Sequence, residues 1–467
     1  MRVLFHTFGC KANQYDTERM RQETQARGGV VTKDVGLADV CVVNTCTVTN
    51  AADAEARRFI RRLKRENPLT QVVVAGCSAV LRTAEYAEME GVVSVVPGHD
   101  PVHVAAAVGA AVAGPVERQG SLLQLGMDRG LDGSHLEPIG AAILDRREGA
   151  TRGWLKIQDG CDRKCAFCAT RLARGASRSR SVEDIILEAR TLSRHHPELV
   201  LTGIHIGHYG RDLEVPTSLS TLLARLLDAV PDVRFRLGSI EATEIDELLL
   251  QLLSTSGGRV APHLHMPLQS GADPVLRRMK RWHTREDYRV RVFEVADAVG
   301  RIGLGADIIT GFPGETAVDH EDTVRLVEEL PFTYLHVFPF SPKDGTAASE
   351  LPDPVPQRVA GERSRELRSL AEEKQRRYRA SRAGEMCLVT LEAQGRLALT
   401  GDYLRVDVAM DGDGVGLGLE AYKRLHSGVL RGSADDLHVE LQGSRAPQIA
   451  GAASGMESPP IFPVSSA

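Results

Sequence analysis

The stretch Lys156-Ile-Gln-Asp-Gly-Cys161-Asp-Arg-Lys-Cys165-Ala-Phe-Cys168 decides how this chain is read, because it sets three cysteines in a C-x3-C-x2-C loop directly after an apolar run. A closed zinc or iron–sulfur site takes four protein ligands. Three thiolates with no fourth Cys or His nearby leave one iron of a cubane open to a small molecule. The competing reading is a zinc loop completed from elsewhere in the chain. Gly160, the aromatic Phe167 between ligands and the strand–helix series that follows argue against it.

Outward from this loop, β-branched apolar runs alternate with helical patterns. Strands are expected at Trp154–Gln158, Leu199–Thr202, Val233–Leu237, His263–Met266, Gly303–Ile309 and Tyr334–Phe338. Helices are expected near Val182–Leu192, Leu219–Ala229, Ile245–Leu253, Asp273–Met279, Glu286–Val299 and Ala317–Glu329. Six strand–helix units predict a central (β/α)6 open barrel over residues 151–382, ending in the charged helix Arg358–Arg382. Upstream, strands at Val3–Phe8, Val40–Val43, Val72–Ala75 and Val92–Val96 alternate with helices Tyr15–Ala26 and Ala51–Glu66. They predict a parallel α/β domain over 1–113, with Asn13 and Asn50 as helix N-caps. The Gly-rich, charged stretch 114–150 reads as a linker. Short alternating runs such as Cys387–Leu391 and Tyr403–Val408 read as a small all-β module over 384–441, and the Ala/Gly/Ser/Pro-rich 443–467 as a disordered tail.

A chain of 467 residues is too long for one ordinary core, and a formal charge of −5 excludes a globally basic nucleic-acid binder, so any polyanion must be met by local arginine patches. The beginning of the sequence carries no secretory pattern, and the longest Ala/Val-rich run, Val102–Val116, is too short to span a bilayer. A cytoplasmic protein without membrane contact is expected, and a monomer. In that reducing compartment the eight cysteines are expected as metal ligands or thiols, not disulfides.

A second cysteine triplet supports this. Cys10, Cys46 and Cys77 each follow the carboxyl end of a predicted strand, where parallel α/β sheets gather their ligands, so they are expected around a second metal centre. Gly9 and Gly76 would let the backbone approach it, and Asn44 and Thr45 would donate to its sulfurs. Any one of these cysteines alone reads better as a buried apolar residue. Three matching placements do not. Cys41 and Cys387 lack such placement and are assigned to packing.

C-x3-C-x2-C after the first strand of a six-unit barrel resembles the radical S-adenosylmethionine superfamily. Thr7-Phe-Gly-Cys-Lys-Ala-Asn-Gln14, Asn44-Thr-Cys-Thr47 and Ala75-Gly-Cys77 further resemble its methylthiotransferase family, which pairs the barrel with an N-terminal cluster domain and a C-terminal TRAM β module. Lys156–Cys161, Arg174-Gly-Ala-Ser-Arg-Ser-Arg180 and Leu201-Thr-Gly-Ile-His-Ile-Gly-His-Tyr-Gly210 are similar to its MtaB-type branch. The resemblance implies two [4Fe-4S] clusters: a radical-generating one on Cys161, Cys165 and Cys168, and a sulfur-delivering one on Cys10, Cys46 and Cys77. It also implies S-adenosylmethionine as co-substrate, tRNA adenosine 37 bearing an N6-threonylcarbamoyl group as substrate, and an electron-donor protein as partner. Other branches act on isopentenyladenosine in tRNA or on a ribosomal-protein side chain. A non-catalytic iron–sulfur RNA-binding or sensor protein is the rival from another class.

S-adenosylmethionine contacts are expected at strand carboxyl ends: Thr202, Gly203, Ser239, Glu241, His265, Gln269, Asp307 and, in a Gly-Phe-Pro-Gly turn, Gly311. For tRNA phosphates the candidates are Arg57, Arg58, Arg61, Arg62, Lys64 and Arg65, then Arg174, Arg178 and Arg180, then Arg376, Arg377, Arg379 and Arg382.

Overall fold

The computed structural model describes residues 1–47, 50–112, 143–409 and 419–442. Its N-terminal sheet has five parallel strands: β1 (Arg2–Thr7), β2 (Val30–Thr32), β3 (Val40–Thr45), β4 (Gln71–Gly76) and β5 (Val92–Val95), in the order β2-β1-β3-β4-β5. Helices α1 (Lys11–Ala26) and α5 (Pro101–Val112) cover one face. Helix α2 (Asn50–Glu66) and the short α3 (Cys77–Leu81) and α4 (Thr83–Ala87) lie on the other. Strand alternation builds a core on each side. Val3, Phe5, Val40, Val42 and Val73 meet Met20, Val104 and Val108, while Leu4, Cys41, Val43 and Val74 meet Phe59, Ile60 and Leu63. Burial on both faces explains why β3 and β4 read as unbroken apolar runs. The edge strand β2 was not expected from the sequence, because its three residues are only partly buried and show no run.

Asn13 is not the N-cap of α1. The helix starts earlier, with Cys10 at the cap position, and Asn13 lies inside it, donating its amide to Phe8 O (2.9 Å) and Thr45 O (2.7 Å). The side chain ties the ends of β1 and β3 together instead of closing a helix end. Asn50 likewise begins α2 itself and donates to Pro342 O at 2.7 Å.

The central domain opens with β6 (Arg152–Lys156). A small hairpin of β7 (Gln158–Asp159) and β8 (Arg178–Ser179) then brackets the cysteine loop and the single-turn α6 (Thr170–Arg174). Next come α7 (Val182–Ser193), β9 (Glu198–Thr202), α8 (Leu219–Ala229), β10 (Arg234–Leu237), α9 (Glu247–Thr255), β11 (His263–His265), α10 (Asp273–Arg278), α11 (Arg285–Val299), β12 (Gly303–Thr310), α12 (Ala317–Glu329) and β13 (Tyr334–Pro339). Strands β6, β9 and β10 form one parallel sheet and β11, β12 and β13 another, joined by bridges Phe235–Val260 and Ser239–His265. No pairing joins β6 to β13 among the described residues, so the six-stranded barrel is open, as the strand–helix count predicts.

Helix α1 packs along β6 and covers that lateral opening: Tyr15 enters the barrel core, and Trp154 Nε1 donates to Gln14 Oε1 at 3.2 Å. Part of the expected linker is packed here as well. Leu144 is buried in the same core, and Arg147 stacks over the Trp154 ring at 4.1 Å. The remainder of that stretch, 114–142, and the expected tail, 443–467, lie outside the described residues.

Helix α13 (Gln357–Ser381) leads to the β module: β14 (Met386–Glu392), β15 (Leu397–Thr400), β16 (Arg405–Val408), β17 (His426–Arg431) and β18 (His438–Leu441), a closed barrel in the order β14-β15-β16-β18-β17. It docks on the amino ends of the central strands. Arg152 Nε meets Glu392 Oε1 at 2.9 Å, Arg234 Nη1 donates to Leu388 O at 2.9 Å, and Arg236 Nη1 donates to Gly401 O at 2.8 Å.

Candidate active site

Cys161, Cys165 and Cys168 stand on the loop between β7 and α6. Gly160 enters it with φ 69°, and a Cβ there would lie 1.8 Å from Ala176 O, so only glycine fits. Cys161 Sγ is 3.6 Å from His205 Nδ1, while Nε2 of that imidazole is 2.8 Å from Glu244 Oε1. Arg281 Nη1 donates to Cys165 Sγ at 3.8 Å, and its Nη2 binds Glu241 and, at 3.0 Å, Pro267 O. Burial pushes the Cys161 thiol up to about 12, and burial also raises that of Cys165, each helped by the neighbouring thiols of the loop. Three soft donors with a guanidinium and an imidazole aimed at two of them fit a thiolate-bound iron cluster, whose charge the flanking arginine would offset.

The second triplet sits at the carboxyl ends of three adjacent strands, β1, β3 and β4, beside the point where strand order reverses. Gly9 has φ 99°, and a Cβ on it would fall 2.4 Å from Cys46 Sγ, so the chain of Cys10 passes directly over Cys46. Cys46 and Cys77 are buried and Cys10 is exposed. Asn44 and Thr45 do not turn toward the sulfurs as expected. Asn44 Nδ2 donates to Asn13 O and Thr17 Oγ1, both at 2.9 Å, and Thr45 Oγ1 to Ala75 O at 2.6 Å, because buried acceptors on α1 and at the end of β4 claim them first. No disulfide links any of the eight cysteines.

Arg174 was expected to reach tRNA phosphate, yet its side chain is fully buried and ties the helix after the cysteine loop to Cys77 and α1 of the N-terminal domain. Nε donates to Cys77 Sγ (3.1 Å), Nη1 to Asp159 (2.9 and 3.0 Å), and Nη2 to Asn13 Oδ1 (2.5 Å) and Asp16 Oδ2 (2.8 Å). Lys156 Nζ bridges the same two carboxylates at 2.7 and 2.8 Å, and His99 Nε2 lies 2.9 Å from Asp159. Burial opposes ionisation of Asp159, but Arg174, Lys156 and His99 outweigh it and hold the carboxyl well below the usual range. Asp16 follows the same pattern, with Lys156 leading the attraction.

Residues 2–98 match the family described as Uncharacterized protein family UPF0004, and residues 155–327 the Radical SAM superfamily. The chain is 36% identical over 388 residues to "Threonylcarbamoyladenosine tRNA methylthiotransferase MtaB" of Bacillus subtilis, covering 82% of this chain and 83% of that one. The enzyme of the same name from Aquifex aeolicus is 32% identical over 423 residues, 88% of this chain and 97% of that one. The chain belongs to the MtaB-type radical S-adenosylmethionine methylthiotransferases. Among solved structures, the radical S-adenosylmethionine methyltransferase TsrM from Kitasatospora setae overlays with TM-score 0.54 at 15% identity, covering 72% of each chain, and confirms the fold. Like the family's other members, the chain is an enzyme of radical chemistry, and no helix among its described residues is long and apolar enough to cross a membrane.

In this methylthiotransferase the expected cofactor contacts divide. His265 Nε2 meets Asp307 Oδ1 at 3.1 Å, and His336 Nδ1 meets the same oxygen at 3.2 Å, inside the barrel. Thr202 and Gly203 end β9 beside Gln158, and Ser239 is exposed at the bridge to His265. Gln269 adopts φ 70° and donates its N–H to Asp307 O at 2.8 Å. Glu241 is taken up by Arg281, and Gly311 presses on helix α13, where a Cβ would come 2.4 Å from that of Ala360.

Other arginines expected on RNA are structural. Arg180 is buried against Glu188 (2.8 Å), Arg382 against Asp402 (2.8 Å), and Arg379 donates to Ala434 O (2.6 Å). Arg58, Arg61 and Arg65 remain exposed on α2.

The barrel lumen holds a group the sequence did not single out. Arg152, Glu198, Arg234, Arg236 and His263 share its inner face near the amino ends of the strands, and Lys11, next to Cys10, faces them. Burial, then Arg152 and Arg236, push the Lys11 ammonium down to about 8. The charges around Lys11, the Cys77 and Asp16 partners of Arg174 and the Cys165 partner of Arg281 lie far away in the chain, so no local motif marks these residues.

Proposed function

We propose that this enzyme converts N6-threonylcarbamoyladenosine at position 37 of tRNA to its 2-methylthio derivative; the Bacillus relative is named a threonylcarbamoyladenosine tRNA methylthiotransferase. The observation that supports the reading is Arg174, at the end of the helix that follows the barrel cysteine loop, whose Nε lies 3.1 Å from Cys77 Sγ of the N-terminal triplet. Adenine C2–H is too weakly acidic for side-chain bases, so two separate activities, radical generation and sulfur delivery, suit the carbon. When bound, a [4Fe-4S] cluster on Cys161, Cys165 and Cys168 supplies one-electron cleavage of S-adenosylmethionine, and one on Cys10, Cys46 and Cys77 supplies a place to hold sulfur.

The residues of the chain bind and orient. Arg281 donates to Cys165, His205 Nδ1 lies against Cys161 Sγ, and Glu244 fixes the His205 ring through its Nε2. Thr202, Gly203, Ser239, His265, Gln269 and Asp307 line the strand ends where S-adenosylmethionine would lie. Glu241 and Gly311 act as positioning residues, through Arg281 and α13. Tyr15 and Trp154 close the lateral gap against water. Arg58, Arg61 and Arg65 offer a basic face to the anticodon arm. A small electron-donor protein supplies reducing equivalents to the monomer.

Nucleoside mass spectrometry of tRNA from a strain lacking this chain tests the proposal. Loss of 2-methylthio-threonylcarbamoyladenosine with accumulation of its precursor is expected. Unchanged levels in a strain without a second such enzyme would refute it, and loss of the isopentenyl analogue instead would reassign the substrate.

A further inference from the structure

Within the barrel, cations outnumber the carboxylates that face them. Lys11, Arg152, Arg234 and Arg236 converge on Glu198, with only Glu392 of the β module added at Arg152. Arg236 is saturated by Glu198 and by the carbonyls of Thr400 and Gly401. The others are not. Arg152 Nη1, Arg234 Nη2 and His263 Nδ1 are buried without a hydrogen-bond partner, and Lys11 makes no hydrogen bond or ion pair among the described residues. Arg152, nine-tenths buried, and Arg234, 1% exposed, cannot turn to solvent for relief. Cationic donors left without an acceptor in a low-dielectric lumen are unfavourable alone and complementary to an anion.

The position of this pocket indicates which anion. Lys11 directly follows Cys10 and opens α1, which packs along β6, so its ammonium comes close to Arg152, Glu198 and Arg236. An adenine held there for attack at C2 would project its N6 substituent into the barrel. We propose that Lys11, backed by Arg152, forms a carboxylate subsite that reads the terminal carboxylate of the N6-threonylcarbamoyl group. The inference rests on the substrate reading above and deepens it. An isopentenyl group offers no acceptor to the pocket and would leave Lys11 without an ion-pair partner and Arg152 Nη1 without a hydrogen bond, so the subsite selects by rejection as well as by attraction. The same carboxylate chemistry is present in S-adenosylmethionine, and the test separates the two sources.

Anticodon stem-loops bearing threonylcarbamoyladenosine, its neutral carboxamide, isopentenyladenosine or plain adenosine are titrated by fluorescence anisotropy at fixed salt against cluster-loaded protein. Wild-type protein is expected to bind the carboxylate form about 10- to 100-fold tighter than the carboxamide, the range of one charge-assisted hydrogen bond. Lys11→Gln should bring that ratio close to one and Lys11→Arg should keep most of it, at unchanged iron and sulfide content. Equal binding of carboxylate and carboxamide by wild-type protein overturns the subsite whatever the variants do, and so does an unchanged ratio in Lys11→Gln. A loss of S-adenosylmethionine affinity in Lys11→Gln without RNA assigns the lysine to that ligand and overturns it too. If wild-type protein prefers isopentenyladenosine, the substrate reading itself fails, a result distinct from equal binding of acid and amide.

Discussion

Replacing Arg174 by Gln tests whether the two cysteine-bearing domains are held by one buried charge network. In the wild type, Arg174 meets Asp159 at 2.9 Å and Asp16 at 2.8 Å from the centre of the interface. Removing one partner of a buried ion pair costs about 3–5 kcal/mol, since the remaining charge is left uncompensated. Lys156 still reaches both carboxylates, at 2.7 and 2.8 Å, so the lower end, about 3 kcal/mol, is expected. With a urea slope of ~2 kcal/mol/M, the midpoint should fall by about 1.5 M. Trp154 reports on the loss, because its indole N–H donates to Gln14 of the partner domain at 3.2 Å. Its fluorescence would be followed in a Trp282→Phe background, which removes the only other tryptophan. The pH dependence fixes the sign. Asp16 and Asp159 have depressed folded-state pKa values, so their contribution is present above the unfolded carboxylate range and is lost as pH falls through the folded values. The gap between wild type and variant should therefore be widest near neutrality and narrow below about pH 4. A midpoint change under about 0.5 M, or a gap that widens on acidification, would refute the network as the element holding the domains.

Other consequences are open to measurement. His205→Leu, which removes the ring nitrogen 3.6 Å from Cys161 Sγ, should lower the reduction potential of a cluster held on Cys161, Cys165 and Cys168 by tens of millivolts in an EPR titration; an unmoved potential would mean that the imidazole does not act on the sulfur. Gly160→Ala should abolish iron loading at Cys161, Cys165 and Cys168 while leaving iron at the N-terminal triplet, seen as about half the iron content, because a Cβ cannot fit 1.8 Å from Ala176 O. Arg382→Ala breaks the buried bond to Asp402 Oδ2 (2.8 Å) that ties the end of α13 to the β module, and should speed limited proteolysis near residue 384 at a cost of about 3 kcal/mol.

Much of the candidate site could be proposed from residue order alone, because its candidate ligands come in local patterns. Cys161, Cys165 and Cys168 fall within one loop, and Cys10, Cys46 and Cys77 each end an apolar run whose parallel pairing brings strand ends together. The barrel could be read for the same reason, since each strand–helix unit carries its own periodicity. Asn13 misled because a polar residue before a helical pattern looks like a cap whether it bonds to its own helix or, as here, to Phe8 and Thr45.

Arginine function was decided only by the tertiary fold. Arg58, Arg174, Arg180 and Arg382 look alike in sequence, and charge alone suggests solvent or phosphate for each. Burial separates them: Arg58 faces solvent, while the other three lie inside, facing Asp159, Glu188 and Asp402. Lys11 shows the limit most clearly. Its neighbours along the chain mark the cysteine before it, but its electrostatic surroundings come from Arg152, Glu198 and Arg236, more than a hundred residues away. Covalent spacing determines which thiols can share a metal. Long-range packing determines which charges lack a partner, and a buried charge without a partner is what recognises a ligand.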